Sequence, residues 1–371
     1  MGEREIGVGL VGYGLAGRVF HGMLVKATPG LDVRAIVTQD PARRERARED
    51  FPSARVYSTF GELLDDPGVD LVVIGTPHDT HRELAVAAAR RKKHVVVDKI
   101  MALSVAEADE MIHAAKESGV LLSVFQNRRW DSDFLTVKEV IQRGWIGEPY
   151  VVESSVVRFG FPPDPSKPLP WRMKARSGGG PFRDWGAHLV DQALQLFGTE
   201  VESVYADFQY RWPGVEVETA ATAWIRFKNG VRYRIEVGSI SMLGRPRWYV
   251  RGSKGALVIE GLDPQEAALR EGRVVARTPE GAMPAGACTL RTEVAEPEGG
   301  WALWPGAAVS GDGSKGVNLA AVPGDYLAYY ENVRDAIREG APLAVTAESA
   351  RDGLAVIEAA VRSASGGQVV R

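Results

Sequence analysis

The chain has 371 residues, with 45 lysines and arginines against 48 aspartates and glutamates, a formal charge of −3. That near-balance argues against a nucleic-acid footprint, which needs a basic patch. Hydrophobic residues at 45% are too many for a disordered chain, yet no apolar run approaches the roughly 18 to 20 residues of a membrane span. A length of roughly 150 residues per domain predicts two domains, or three. Cys288 is the single cysteine, so neither an internal disulfide nor a multi-cysteine metal site can form, and no metal is expected. Met1-Gly2-Glu3-Arg4-Glu5 runs straight into a strand-like segment without a signal-peptide core, so the expected compartment is the cytoplasm. Glycine is in excess, 41 residues or about 11% against a usual level of about 7%.

Taken in chain order, Ile6 to Val11, Val33 to Thr38, Leu71 to Thr76, His94 to Lys99 and Leu121 to Gln126 are short runs of Val, Ile and Leu, as in strands buried on both faces of a parallel sheet. Helix-like stretches lie between them. Thr80 to Lys93 has an Ala-rich face, and Ser104 to Gly119 opens with the capping box Ser104-Val105-Ala106-Glu107 and ends at glycine. Repeated strand, helix and strand predicts an N-terminal Rossmann-type, doubly wound α/β domain over residues 1–126. After a helix at Asp133 to Arg143 the runs lengthen and alternate: Tyr150 to Phe159, Val201 to Trp212, Glu218 to Phe227 and Val231 to Val237. Asn229-Gly230 marks a hairpin between the last two. Residues 127–371 are therefore expected to form an α+β domain with a large, mainly antiparallel open sheet. Further helices are predicted at Ala187 to Phe197, Tyr326 to Glu339 and Ser349 to Ser363, and the C-terminal ones can pack back on the first domain. Gly261 to Pro323 reads as loops with a few strands.

Gly12-Tyr13-Gly14-Leu15-Ala16-Gly17 directly follows the first strand and precedes a helix, the setting in which G-x-G-x-x-G cradles a pyrophosphate. Gly12 would allow the tight turn, Gly14 the approach of phosphate and Gly17 close helix–strand packing, with the helix N-terminus facing the anion. An acidic residue ending the second strand would hold an NAD ribose. Here Val37-Thr38-Gln39 occupies that place, Asp40 comes late, and Arg43 and Arg44 follow. The expected cofactor is NADP or NAD, with NADP modestly favoured. At least one of the two arginines reads as part of a solvated helix face.

Three more clusters share this ordering: Thr76-Pro77-His78-Asp79-Thr80-His81; Val97-Asp98-Lys99; and Gly178-Gly179-Gly180 ahead of Asp184, Gly186, His188 and Asp191. Together with the glycine turn they resemble the Gfo/Idh/MocA family, the glucose–fructose oxidoreductase and inositol dehydrogenase group, nearly end to end. Val19-Phe20-His21 and Asn127-Arg128-Arg129-Trp130-Asp131 resemble its NADP-linked scyllo-inositol dehydrogenase branch more than others. The resemblance matches the family's Glu-Lys-Pro motif to Asp98-Lys99-Ile100, whose lysine contacts nicotinamide ribose and substrate. Asp replaces Glu, and the proline, often cis in relatives, is missing, so the local backbone is expected to differ. The resemblance further implies an acid/base pair at Asp184 and His188, a cofactor-facing arginine at Arg172 beside Trp171, and cofactor contacts from Thr76, Pro77, His78, His81, Asp98 and Asn127.

The residues support that chemistry on their own terms. Asp184 and His188 are four apart and would share a helix face, and a carboxylate that fixes an imidazole tautomer suits a general base. Oxidising a secondary alcohol needs such a base, and a cation such as Lys99 at a strand end would stabilise the alkoxide. Trp171 can offer its ring face to a pyranose. His21, His94 and His113 read as structural or surface histidines. Trp145, Trp185 and Trp224 read as packing, Asp191 as a surface residue, and Gly178 to Gly180 as a flexible approach to the acid/base pair. The expected activity is hydride transfer between NAD(P) and a hydroxyl or ketone carbon of a sugar, inositol or related polyol. Substrate contacts come from Lys99, Trp171, Asp184 and His188, with Lys99, Asp184 and His188 catalytic. The alternatives are a glycoside-processing enzyme that oxidises its substrate transiently with tightly held NAD(H), and a non-catalytic dinucleotide sensor. Neither nucleic acid nor membrane is an expected partner. A homodimer or homotetramer through the C-terminal sheet is.

Overall fold

A computed structural model describes residues 4–298, 300–304, 310–311 and 316–371. The chain divides into two compact units. The first comprises Met1–Asn127, Glu266–Val274 and Tyr326–Leu354, and the second Arg128–Gln265, Val275–Asp325 and Ala355–Arg371. Besides the N-terminal stretch, the first unit takes in two later segments, of which Tyr326–Leu354 holds the C-terminal helix Leu327–Glu339.

The first unit holds six parallel strands: β1 (Ile6–Val11), β2 (Leu31–Val37), β3 (Arg55–Tyr57), β4 (Leu71–Ile74), β5 (His94–Val97) and β6 (Leu122–Val124). Their order is β3-β2-β1-β4-β5-β6. Every residue of β1 and β4 is buried, as expected of strands covered on both faces. The order reverses beside β1, the switch point at which doubly wound folds bind ligands. Ser104 caps the helix Val105–Ser118 by accepting from Glu107 N, and Gly119 ends it at φ +66°. The later helix Leu327–Glu339 buries Tyr329, Tyr330, Val333 and Ala336. Within this unit Tyr329 stands edge-on to Phe125 at 4.9 Å, and its hydroxyl lies 2.9 Å from Ser123 Oγ.

The second unit is built on nine strands: β7 (Pro149–Val157), β8 (Val201–Gln209), β9 (Ala220–Phe227), β10 (Arg232–Gly238), β11 (Trp248–Gly252), β12 (Gly255–Ile259), β13 (Cys288–Thr292), β14 (Ser310–Gly311) and β15 (Gly316–Leu319). They run in the order β14-β15-β13-β12-β11-β7-β10-β9-β8, and the pair β7–β10 is parallel while the other pairs are antiparallel. Gly230 at φ +90° turns the predicted hairpin between β9 and β10. Alternate residues of β9 and β10 are buried beneath the helix Pro181–Phe197, whose Phe197 packs on Phe227 and Tyr233. Tyr205, Trp224 and Tyr249 are left exposed. Trp224 is therefore a surface residue of this unit, not the packing residue the sequence suggested. Among the described residues no helix is long and apolar enough to cross a membrane. Of the Gly- and Pro-rich stretch 261–323, residues 299, 305–309 and 312–315 lie outside the description.

Candidate active site

The glycine turn after β1 assigns a separate steric task to each glycine. Gly12 adopts φ +90°, and a Cβ there would sit 2.7 Å from the Gly75 carbonyl oxygen. A Cβ on Gly17 would overlap the Gly12 carbonyl oxygen, so only glycine lets the following helix close on the turn. Gly14 differs: the single neighbour of its missing Cβ within 4 Å is Arg43 Nη1, at 3.6 Å. Of the three glycines, Gly14 alone leaves an open approach to the turn's backbone, and it fits a phosphate group. Leu15 is 41% exposed, and Ala16 opens the predicted helix, which starts as a π-helical stretch over Ala16–Gly22. The Tyr13 side chain points elsewhere: it is buried, and its hydroxyl donates to Asp50 Oδ2 at 2.8 Å. Burial would raise the Asp50 carboxyl, but hydrogen bonds from Arg18 and Tyr13 outweigh it and hold the group below its usual range. A cofactor contact from residue 13 is left to its backbone.

Thr38, directly after β2, is buried. Asp40 caps the helix Pro41–Asp50, accepting from Arg43 N at 3.0 Å, and its other oxygen lies 3.7 Å from Arg43 Nε. The carboxylate is thus engaged by its own helix, while the Arg43 side chain, 55% exposed, reaches the Gly14 approach. After β4, Thr76 Oγ1 lies 2.6 Å from Thr80 Oγ1, and Pro77 leads into a short turn over His78–Thr80. His78 is buried against His81, with ring centroids 5.5 Å apart. His81 has no exposure, and its ring sits between two carbonyl acceptors, Nδ1 2.8 Å from that of Ile100 and Nε2 3.0 Å from that of Thr76. It ties the turn after β4 to the turn after β5.

Asp98 and Lys99 follow β5. Asp98 Oδ1 accepts from Lys99 N at 2.8 Å, and Lys99 is half-buried. The Lys99–Ile100 peptide is cis although residue 100 is not proline, so the expected loss of that backbone form does not occur. Asn127, after β6, is 3% exposed, and its Nδ2 has no hydrogen-bond partner. A buried, unsatisfied donor is costly without a partner, so with the open Gly14 it fits a polar cofactor group. Residues from the ends of β1, β2, β4, β5 and β6 thus converge on the carboxyl end of this sheet.

In the second unit, Gly178 (φ +69°), Gly179 and Gly180 (φ +104°) lead into the helix Pro181–Phe197. They are packed, not the flexible approach expected from the sequence: a Cβ on Gly179 would overlap the Arg172 carbonyl oxygen, and one on Gly180 would overlap the Glu218 carboxylate. Glu218 is the residue that sequence reasoning missed. It is 4% exposed and accepts from Phe182 N at 2.8 Å, so it caps the helix from 36 positions away, and burial pushes its carboxyl upward. The helix consequently starts at Pro181, six residues before the predicted Ala187, and carries both Asp184 and His188 one turn apart. His188 is 5% exposed, and the Trp185 ring lies 6.1 Å from it. The Arg128 guanidinium stacks 4.0 Å from the same tryptophan. Arg172, exposed, stacks at 4.3 Å on Trp171. Asp191 is no surface residue: it is 3% exposed and held by Arg129 through two bonds of 2.8 and 2.7 Å.

What this geometry defines is a class, the dinucleotide-binding oxidoreductases. Residues 6–126 match the family model described as "Oxidoreductase family, NAD-binding Rossmann fold", and residues 134–258 match the "GFO/IDH/MocA C-terminal domain". The chain is 36% identical to the uncharacterized oxidoreductase YdgJ of Escherichia coli K12 over 97% of its own length and 96% of the relative's. It is 34% identical to scyllo-inositol 2-dehydrogenase (NADP(+)) IolW of Bacillus subtilis 168 over 96% and 93%. A solved NAD-binding protein from Listeria innocua superposes with a TM-score of 0.80 at 29% identity, covering 99% of this chain and 97% of that one. The chain belongs to the Gfo/Idh/MocA oxidoreductase family.

Proposed function

We propose that this protein is an NADP-preferring dehydrogenase of sugars, inositols or related polyols, with scyllo-inositol the first substrate to test. The observation that carries this reading is the helix Pro181–Phe197, which presents a carboxylate and a buried imidazole one turn apart. The likeness to IolW along nearly the whole chain supports the substrate class. Preference for NADP rests on Asp40 being engaged as a helix cap while Arg43 reaches the open approach at Gly14. The relatives include scyllo-inositol dehydrogenases named for NADP and for NAD.

Gly12, Gly14, Gly17, Arg43 and Asn127 would hold the dinucleotide. When bound there, the dinucleotide would supply hydride-acceptor and hydride-donor chemistry toward a carbinol or ketone carbon. His188 takes the hydroxyl proton in oxidation and gives it back in reduction. Asp184 orients the imidazole and a substrate hydroxyl, and the Lys99 ammonium stabilises the developing alkoxide. A spectrophotometric panel of sugars and inositols with both cofactors tests this. Reduction of NADP with at least one inositol, at clearly higher efficiency than NAD, is expected. Binding of NADP with no turnover across the panel would contradict it and point to a sensor. We further propose self-association through the open face of the β7–β15 sheet, where Tyr205, Trp224 and Tyr249 are exposed. Light scattering should report a dimer or tetramer that Trp224→Glu weakens, and a monomeric wild type would refute it.

A further inference from the structure

The element after the glycine turn carries a histidine that the proposed chemistry does not use. His21 has no solvent exposure. Its Nδ1 lies 2.7 Å from the hydroxyl of Tyr330, 309 positions away on the helix Leu327–Glu339 of the same unit. Its Nε2 is buried without a hydrogen-bond partner and faces Asp98 Oδ2 at 4.0 Å. The other oxygen of that carboxylate accepts from the backbone N–H of Lys99. The four groups form one line from Tyr330 to Lys99.

The charge of Asp98 favours one assignment of donors and acceptors over the other. A carboxylate only accepts, so the ring nitrogen facing it is favoured as N–H, which leaves Nδ1 bare to accept from the Tyr330 hydroxyl. A separation of 4.0 Å exceeds a hydrogen bond, so the fully buried ring acts on the half-buried Asp98 carboxylate through the dipole of its N–H. Burial keeps the imidazole neutral, lowering it to about 4 against the pull of Asp98. Phe125 packs on the ring with centroids 4.4 Å apart and prevents it from turning away.

We propose that His21 is a positioning residue: held by Tyr330, it orients the Asp98 carboxylate, which in turn fixes the backbone amide of Lys99 and hence the aim of its ammonium. This rests on the reading of Lys99 as the electrostatic partner in catalysis. Outer groups that orient a reacting side chain matter because a misplacement of about 1 Å can cost about 100-fold in rate. The arrangement also gives the cis-linked Lys99–Ile100 turn two anchors, His81 on the Ile100 carbonyl and Asp98 on the Lys99 amide.

The test uses Tyr330→Phe, which removes one oxygen and keeps the ring, and His21→Asn. In cofactor-free protein, ¹⁵N spectra of the histidine side chains should show His21 as the neutral Nε2–H tautomer. Competitive acylation read by mass spectrometry should show the rate at Lys99 changed several-fold in both variants, with the other lysines unmoved. With scyllo-inositol and NADP, kcat should fall about 10- to 100-fold in His21→Asn with NADP affinity unchanged, and the same change made in a Lys99→Ala background should cost nothing more. A bare Nε2, unchanged Lys99 acylation, or a His21→Asn cost that adds in full to that of Lys99→Ala would overturn the relay. Wild-type turnover in Lys99→Ala would instead overturn the reading of Lys99 and, with it, the catalytic meaning of the relay.

Discussion

In the turn Gly12–Gly17 the middle glycine faces open space, with Arg43 as the nearest group to its missing side chain; in the turn Gly178–Gly180 the corresponding space is filled by the Arg172 carbonyl and the Glu218 carboxylate. Both turns open a helix, the first directly after β1 and the second after a short helical turn at Ala175–Ser177. The first uses Gly12 and Gly17 to bring backbone together and Gly14 to leave room for a ligand. The second uses its glycines for closure alone, which seats the helix carrying Asp184 and His188 against its neighbours. A glycine cluster is thus no measure of flexibility. What counts is whether a Cβ would meet protein atoms or empty space.

Alanine substitutions separate the two cases. The largest effect is expected for Gly17→Ala, because a Cβ driven into the Gly12 carbonyl cannot be relieved without moving β1 or the helix. Overpacking of this kind costs about 1–3 kcal/mol or more, so thermal unfolding should shift down by many degrees and dinucleotide binding should be lost with it. Gly179→Ala should also lower the melting temperature and reduce turnover, while NADP affinity stays within about two-fold. Gly14→Ala should leave the melting temperature nearly unchanged and weaken NADP by about ten-fold or more, roughly 1.4 kcal/mol. A Gly14→Ala protein that binds NADP normally would break the comparison.

Buried titrating groups extend the comparison to pH. His21 in the first unit is lowered by burial to about 4 from an ordinary value of 6.5, with Asp98 opposing and Tyr330 held at Nδ1. The unfolded chain therefore binds the proton first. Stability is complete above pH 6.5 and falls as pH drops from 6.5 towards 4, by about 3 kcal/mol in total. Asp263 in the second unit, which caps the helix Ser132–Gln142 through Ser132 N, is raised by burial, with Asp133 adding to the rise, to about 6 from 3.8. Its sign is opposite: the folded state holds the proton, so stability is lost as pH rises from 3.8 towards 6. Hydrogen exchange corrected for intrinsic rates should show β1 losing protection on acidification from pH 6.5 to 4 while Ser132–Gln142 gains it. Equal responses in both would refute the assignment of these two groups.

Local patterns carried most of what the sequence revealed. The β-branched runs, the Ser104 cap, the Asn229-Gly230 hairpin and the glycine turn are readable because each is decided within about ten residues by sterics or periodicity. β3 escaped because Arg55–Tyr57 is a three-residue edge strand without an apolar run. The start of the helix at Pro181 escaped because its cap comes from Glu218, and nothing in the spacing links the two. Asp191 and His21 were misjudged or left open for the same reason: Arg129 lies 62 positions from Asp191 and Tyr330 lies 309 from His21. Burial and pairing across such separations belong to the tertiary fold. The candidate acid/base pair was visible as a four-residue spacing, but the packed turn that seats it was not.

We propose that the glycine turn of the first unit holds the dinucleotide and that His188 supplies the proton transfer. This is tested most directly by measuring NADP affinity and polyol-dependent NADP reduction on wild type, Lys99→Ala and His188→Ala. Both variants should bind NADP within a few-fold of wild type and lose turnover by orders of magnitude. Wild-type turnover in His188→Ala would contradict it.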